Sequence, residues 1–203
     1  NALPELLPCR GEFGHIAAKL PFAGLPIQAL LGDQQAATLG QLCLQPGEAK
    51  CTYGTGAFLV INTGDSIRRS SAGLLSTLGW TDASGTPTYC LEGSLFNAGT
   101  VVQWLRDGLE FVEHAAETEA LAKSVPDADG VYVVPAFVGL GAPYWDEQAR
   151  GTIVGLTRGT TRVHPAVTWD QAVPLRNRAG CGAVPTYRCL VETTSAPPQL
   201  TGK

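Results

Sequence analysis

The sequence predicts an α/β or α+β fold, because strand-like and helix-like segments follow one another along the chain. Residues 50–91 carry β-branched and aromatic residues around glycine-containing turns, which is typical of strands. Residues 94–105 place apolar side chains at helical spacing, and residues 130–135 form a compact apolar run. A chain of 203 residues, 44% of them hydrophobic, is long enough to bury the core of one full domain.

In the first half of the chain, a helix is predicted between segments with strand character. The predicted elements are a turn and short buried strand at 22–32, a helix at 33–43, two strands joined by a tight turn within 50–63, and further strands at 73–80 and 87–91. Asp33 is expected to be the acidic N-cap of the helix. Asp82 to Gly85 has the composition of a hairpin loop between the last two strands.

In the second half, helices and strands alternate. The predicted elements are helices at 95–107 and 113–124, strands at 130–135 and 151–155, and a loop rich in glycine and proline at 139–146. After His164 the chain contains several prolines and no sustained apolar period. Residues 165–203 are therefore expected to form a disordered tail outside the core.

Composition and charge exclude several classes of function. The net charge is −4 and no basic cluster exceeds the pair Arg68 and Arg69, so neither a nucleic acid nor an anionic membrane is expected as a partner. No apolar run approaches the length that spans a bilayer. The absence of methionine favours a sequence that begins inside a longer reading frame.

The cysteines and histidines do not form a metal-binding pattern. The six cysteines are Cys9, Cys43, Cys51, Cys90, Cys181 and Cys189. They are scattered without a Cys-x-x-Cys pair, and the three histidines lie far apart, so no zinc site is expected. With no secretion signal, a reduced cytoplasmic setting is predicted, in which each cysteine is a small buried apolar residue.

One motif with catalytic potential is Gly32-Asp33-Gln34. An aspartate between a predicted strand and a helix is placed where α/β proteins bind ligands. As an oriented, ionised carboxylate, Asp33 could accept a proton from an alcohol. The alternative is that Asp33 is a plain helix cap.

Two further motifs contain glycines that could approach phosphates. In Gly54-Thr55-Gly56, backbone N–H groups and the threonine hydroxyl could reach phosphate oxygens, although the spacing of a Walker P-loop is absent. An ordinary hairpin turn is the alternative. Gly99 lies in Ala98-Gly99-Thr100-Val-Val-Gln103, which opens or runs through a predicted helix, and a glycine there costs about 1 kcal/mol relative to alanine. Close approach of a ligand or packing against another element would each explain it.

Taken in order, these motifs and their surroundings resemble a known enzyme family. They are Leu31-Gly-Asp-Gln-Gln-Ala-Ala37, Thr52-Tyr-Gly-Thr-Gly56, Leu91-Glu-Gly-Ser94 with Gln103-Trp-Leu-Arg-Asp107, Val133-Val-Pro-Ala-Phe137, Gly139-Leu-Gly-Ala-Pro-Tyr-Trp-Asp146, and Ala149-Arg-Gly151 with Gly155-Leu-Thr-Arg-Gly159. The chain closely resembles the glycerol kinase branch of the FGGY carbohydrate kinases over about residues 2–164. This family belongs to the actin-like, ribonuclease H-like ATPase superfamily.

The resemblance implies roles for individual residues in the ATP-dependent phosphorylation of glycerol to glycerol 3-phosphate. Asp33 matches the general base, and Gln34 and Phe58 match residues that contact glycerol. The positions that match the ATP site are Gly54, Thr55, Gly56, Gly99 and Gln103. ATP and Mg²⁺ are the implied cofactors, and no metal ligand is assigned within this chain.

The resemblance also implies an incomplete α/β, actin-like fold. Residues 1–42 match the end of the N-terminal, glycerol-binding domain with its linking helix, and residues 43–164 match the first half of the C-terminal, ATP-binding domain. Residues 165–203 are expected to be unrelated to the family. Complete family members are about two and a half times longer and often homo-oligomeric, so the isolated chain is expected to be inactive. The alternatives are a catalytically silent fragment and a kinase of another polyol or sugar.

Overall fold

The computed structural model describes residues 5–82, 84–166 and 186–190. Its elements are α1 (Asp33–Gly40), β1 (Glu48–Tyr53), β2 (Ala57–Gly64), β3 (Leu75–Thr81), β4 (Pro87–Leu95), α2 (Gly99–Asp107), α3 (Glu117–Lys123), β5 (Tyr132–Val134), β6 (Thr152–Val154) and β7 (Thr186–Leu190). The chain therefore mixes helices and strands as the sequence predicts, with four consecutive strands between α1 and α2. Within the described residues, no helix has the length and apolar character needed to cross a bilayer.

The strands form two sheets. The larger sheet has five strands in the order β3-β4-β2-β1-β7, and the smaller one consists of β5 and β6. Strands β3 and β4 are antiparallel, and their register shifts between Leu78 and Trp80. At Gly79, which lies in this irregularity, a Cβ would be 2.8 Å from Sγ of Cys90. The predicted hairpin loop is confirmed, because Gly85 N donates to the carbonyl oxygen of Asp82.

The described chain divides into two compact units. The first contains residues 5–51, 59–82, 84–92 and 187–190, and the second contains residues 52–58, 93–166 and 186. Each unit has buried apolar residues of its own. The elements that carry Asp33 and Gln34 belong to the first unit, whereas the Gly-Thr-Gly turn and α2 belong to the second.

The core of the first unit is built around β1 and β2. Four consecutive residues of β1, from Glu48 to Cys51, are buried, so both faces of this strand are covered. Cys43, Cys51 and Cys90 are buried and form no disulfide, which confirms the expectation for these three residues, whereas Cys9 is only partly buried. Cys181 and the side chain of Cys189 lie outside the part of the chain that is described.

The core of the second unit is formed mainly by α2 and the segments that follow it. Val101 and Leu105, four residues apart on α2, are buried, which confirms the predicted helical spacing. The rings of Trp104 and Phe137 pack with their centroids 5.0 Å apart. Further along, Ala142 N donates to the carbonyl oxygen of Ser94 at 2.9 Å. A Cβ on the preceding residue, Gly141, would overlap that same oxygen.

The prediction of a buried strand within residues 22–32 is wrong. Residues 9–30 instead form an irregular antiparallel ladder, with isolated bridges between Arg10 and Ala29 and between His15 and Pro26. Most of its large apolar side chains are exposed, as at Phe22, which is 76% accessible. A strand is buried only where other elements cover its faces, and within the described residues this ladder is uncovered.

Two other boundaries differ from the sequence prediction. Helix α1 ends at Gly40 rather than residue 43, because Leu42 takes a positive φ of 56° that a helix cannot continue through. At the start of the segment predicted to be a disordered tail, residues 165 and 166 continue a helical turn that begins at residue 163, and residues 186–190 form β7. The disorder expected for residues 165–203 stays a prediction. Residues 167–185 and 191–203 lie outside the described residues.

Candidate functional site

Asp33 is the first residue of α1 rather than its N-cap. Gly32 occupies the N-cap position with extended backbone, and its carbonyl oxygen accepts the first helical hydrogen bond, from Ala36 N, at 2.8 Å. The Asp33 side chain is exposed, and its Oδ1 accepts a hydrogen bond of 2.8 Å from Gln34 N. A carboxylate in the first turn is favoured by the helix dipole. The Asp33 carboxylate is thus held by a hydrogen bond and is also accessible to solvent.

Gln34 is held through its backbone and through its side chain. Its N–H is bonded to Asp33, and its carbonyl oxygen accepts a bond of 2.8 Å from Oγ1 of the buried Thr38. Its side-chain Oε1 accepts a hydrogen bond from Nζ of Lys50. Lys50 comes from β1 and has no accessible surface. Within the first unit, the side chain of Gln34 therefore links the start of α1 to the buried amino group of Lys50 on β1.

The environment of Lys50 acts on its pKa in two directions. Burial lowers the pKa of this amino group below its ordinary value, because the charged form loses its hydration. The acidic groups nearby oppose this effect, foremost the thiol of Cys51, then the carboxylates of Glu92 and Asp33. These groups come from β1, β4 and α1. Lys50 was not identified from the sequence, where it is one polar residue in a strand.

The Gly54-Thr55-Gly56 segment is a tight turn between β1 and β2. Gly54 N donates to the carbonyl oxygen of Gly56 at 2.8 Å, so the turn is closed by its own backbone. The side chain of Thr55 is exposed at its tip. The prediction of two strands joined by a tight turn is confirmed.

Helix α2 begins directly against this turn. The carbonyl oxygen of Thr55 accepts from Ala98 N at 2.8 Å and from Thr100 N at 3.3 Å, while Gly99 N donates to the carbonyl oxygen of Gly54 at 2.8 Å. Three N–H groups at the start of α2 thus bind carbonyl oxygens of the turn. These three N–H groups are therefore bonded within the protein, whereas Thr55 is exposed.

Both glycines singled out here have a packing explanation. A Cβ on Gly99 would lie 2.7 Å from the carbonyl oxygen of Gly54, and a Cβ on Gly56 would lie 2.5 Å from that of Leu95. Real Cβ atoms do not approach backbone so closely. Of the two explanations left open for Gly99, close packing against another element is therefore observed.

The remaining predicted residues also lie in the second unit. Phe58, on β2, is partly buried, and its ring edge lies 3.3 Å from the position of a Cβ on Gly56. Gln103 is exposed on α2, four residues after Gly99 and hence on the same helical face. The structure thus groups the predicted nucleotide residues around one turn and one helix. Their roles stay predictions.

Comparisons with known proteins identify the family. Residues 49–184 match the profile of the FGGY family of carbohydrate kinases, C-terminal domain. Glycerol kinase from Pseudothermotoga lettingae is 56% identical over 162 residues, which are 80% of this chain and 32% of that protein. The chain spans about a third of the length of the curated relatives that it matches.

Solved structures of kinases share the fold of this chain. The crystal structure of Plasmodium falciparum glycerol kinase with ADP superposes with a TM-score of 0.71 at 37% identity, covering 82% of this chain and 33% of that one. Xylulose kinase from Rhodospirillum rubrum gives a TM-score of 0.65 at 26% identity, over 85% and 35% of the two chains. The described region is part of the actin-like, ribonuclease H-like fold of a class of kinases. The chain belongs to the FGGY family of carbohydrate kinases.

Proposed function

We propose that the protein containing this chain transfers a phosphoryl group from ATP to glycerol, forming glycerol 3-phosphate. The observation that carries the proposal is the exposed carboxylate of Asp33, oriented by Gln34 N at the first residue of α1. The identity to glycerol kinases across this region supports the choice of substrate. The ADP in the crystal structure of the Plasmodium falciparum enzyme supports a nucleotide as the second substrate.

In this proposal Asp33 is the general base. It accepts the proton of the glycerol hydroxyl while that oxygen attacks the γ-phosphate, and a positioned base of this kind contributes about 10²–10⁴-fold to a rate. Gln34 forms a hydrogen bond with another hydroxyl, and Phe58 packs against the carbon chain. These residues bind and orient the alcohol, which is the main task of a protein in phosphoryl transfer.

The nucleotide is proposed to lie against the second unit. The exposed hydroxyl of Thr55 is a donor for a phosphate oxygen, flanked by Gly54 and Gly56, and the Gly99 to Gln103 face of α2 lines the nucleotide. Mg²⁺ would neutralise phosphate charge. Among the described residues no group of three His, Cys, Asp or Glu side chains could hold a metal ion.

Two experiments test the function. A hybrid enzyme, in which this chain replaces the matching 162 residues of the Pseudothermotoga lettingae enzyme, is expected to phosphorylate glycerol in preference to dihydroxyacetone, erythritol and pentuloses. In the hybrid, Asp33→Asn should lower kcat by about 10²–10⁴-fold. The matched control, Asp65→Asn, changes an exposed carboxylate in the same unit and should keep full activity. Equal rates for the two variants would contradict the role of Asp33, and a preference for a pentulose would contradict the substrate.

The isolated 203-residue chain is proposed to be inactive, because the relatives that it matches are about two and a half times its length. A coupled assay that detects glycerol-dependent ADP release from the purified chain would contradict this. The cytoplasmic location and the homo-oligomeric state expected from the sequence stay predictions.

A further inference from the structure

We infer that Lys50 is a positioning residue that fixes the side-chain amide of Gln34 with its oxygen turned inward, so that the site accepts hydroxyl oxygens and rejects amines. The inference rests on the proposed function, in which Gln34 contacts a substrate hydroxyl. Lys50 would thus belong to the site, and the orientation of the Gln34 amide would discriminate between substrates.

The first step is the burial of Lys50. It is the largest fully buried side chain in the described part of the protein. Lysine is almost never fully buried unless its amino group has partners. Here the amino group donates to Oε1 of Gln34, and the acidic groups of Glu92 and Asp33 favour its charged form. A buried lysine with these neighbours has a specific position rather than a mobile one.

The second step is the chemistry of the amide. A glutamine side chain has one oxygen that accepts hydrogen bonds and one NH₂ group that donates them. An ammonium group only donates, so Lys50 selects the oxygen end of Gln34. The main chain of Gln34 is fixed as well, by Asp33 and Thr38. The orientation of the whole residue is therefore defined before a substrate binds.

The third step is the consequence for substrates. Lys50 bonds to Oε1 and holds that oxygen on its own side, so the NH₂ group of Gln34 is proposed as the end that meets a ligand. A hydroxyl or carbonyl oxygen can accept from it. A protonated amine cannot, because it has no acceptor and is repelled by the nearby cation. Neutral polyols are thus favoured over amino alcohols of the same size.

The experiment measures kcat and KM in the hybrid enzyme for glycerol and for 3-amino-1,2-propanediol. Lys50→Met keeps the length of the side chain and removes the donor. It is expected to raise KM for glycerol about tenfold, with a smaller change in kcat, and to reduce the preference for glycerol over the amine by about tenfold, the factor that corresponds to one hydrogen bond. Lys19→Met, at an exposed lysine of the same unit, should change neither quantity.

A double-mutant cycle separates positioning from a structural role. In a Gln34→Ala background, Lys50→Met should have no further effect on KM or on the preference, because the amide through which it acts is gone. An effect of the same size in both backgrounds, or an unchanged KM in the single variant, would overturn the inference. Thermal unfolding of each variant shows whether a loss of fold contributes.

A failure of the proposed function can be distinguished from a failure of the positioning role of Lys50. If the hybrid with Lys50 intact does not phosphorylate glycerol, the function is wrong, and the contact is then judged in the 203-residue chain. There, the side-chain ¹⁵N–H₂ signals of Gln34 are expected to shift in Lys50→Met and to stay in place in Lys19→Met. Unshifted signals in Lys50→Met would overturn the positioning role independently of activity.

Discussion

A Cβ on Gly99 would lie 2.7 Å from the carbonyl oxygen of Gly54, the same oxygen that accepts a hydrogen bond of 2.8 Å from Gly99 N. The first residue of α2 and the tip of the β1–β2 hairpin are thus in direct backbone contact. The proposed nucleotide contact at Thr55 depends on this packing of the helix against the hairpin.

The first prediction concerns Gly99→Ala. Alanine favours helix by about 1 kcal/mol over glycine, but here its methyl group would push against the Gly54 carbonyl, and overpacking costs typically about 1–3 kcal/mol. We expect a net loss of stability in urea unfolding. The control is Gly40→Ala, at the end of α1, where a Cβ meets nothing within 4 Å. Equal stability of the two variants would contradict a steric collision between the alanine methyl group and the Gly54 carbonyl.

The second prediction concerns Asn62, which is 1% accessible and bridges two backbone groups. Its Nδ2 donates to the Cys43 carbonyl oxygen at 3.0 Å, and its Oδ1 accepts from Gly64 N at 2.8 Å. Asn62→Ala leaves both groups without this partner and should cost about 1–3 kcal/mol in chemical unfolding. Asn97→Ala, whose side chain makes a longer bond of 3.3 Å to Thr100 Oγ1, should cost less. The reverse order would contradict the bridging role.

The third prediction concerns the pH dependence of stability. Burial raises the pKa of the Cys90 thiol from 9.0 to about 11, with smaller contributions from Cys43 and Glu92. Above pH 9 the unfolded chain loses this proton before the folded one does, so unfolding is favoured as pH rises from 9 to 11. The contribution amounts to about 3 kcal/mol at most, at roughly 1.4 kcal/mol per pKa unit.

The measurement for Cys90 is urea unfolding at several pH values between 8 and about 11. The difference between the wild type and Cys90→Ala isolates this thiol from other groups that titrate in the same range. We expect the stability of the wild type to fall more steeply with pH than that of the variant. Parallel curves would show that the thiol does not titrate in this way.

The fourth prediction concerns the hairpin loop at Asp82. Its Oδ1 accepts hydrogen bonds from Ser84 Oγ at 2.6 Å, Ser84 N at 2.8 Å and Thr86 N at 2.9 Å. These bonds, foremost that of the Ser84 hydroxyl, lower the pKa of the carboxyl group. Their stabilising effect is present above the ordinary pKa and is lost as pH falls through the lowered value.

A titration of the Asp82 carboxyl carbon by NMR tests this. Ser84→Ala should raise the pKa toward its ordinary value, because the strongest of the three bonds is lost. Thr86→Ala keeps the backbone N–H that bonds the carboxylate, so it should change the pKa less. An identical titration in the wild type and in Ser84→Ala would refute the assigned cause.

The elements that the sequence predicted well are those determined by local chemistry. The Asp82 loop needs only its own hydrogen bonds, and Val101 and Leu105 mark the buried face of α2 by their spacing alone. The strand expected within residues 22–32 failed for the opposite reason. Its apolar residues indicate burial only if a covering element exists, and that depends on distant parts of a fold.

The residues of the candidate site also divide into those that a local sequence pattern identifies and those that depend on distant parts of the fold. Asp33 and the Gly-Thr-Gly turn were found because each lies in a recognisable local pattern. Lys50 was missed because a lysine in a strand is normally taken as a surface residue. One signal was present in the sequence: Lys50 stands between Ala49 and Cys51, two residues of small, easily buried side chains. In a strand buried on both faces, such a lysine has to find a partner within the protein.

The overlap between a Cβ on Gly141 and the Ser94 carbonyl has a genetic consequence. Every missense change of a glycine codon adds a Cβ, so no single-nucleotide amino-acid replacement at this codon avoids the collision. Gly141 lies outside the helices and strands, where replacements are generally tolerated. In a library of random variants selected for function, this loop codon should nevertheless be as depleted of substitutions as the codons of the core.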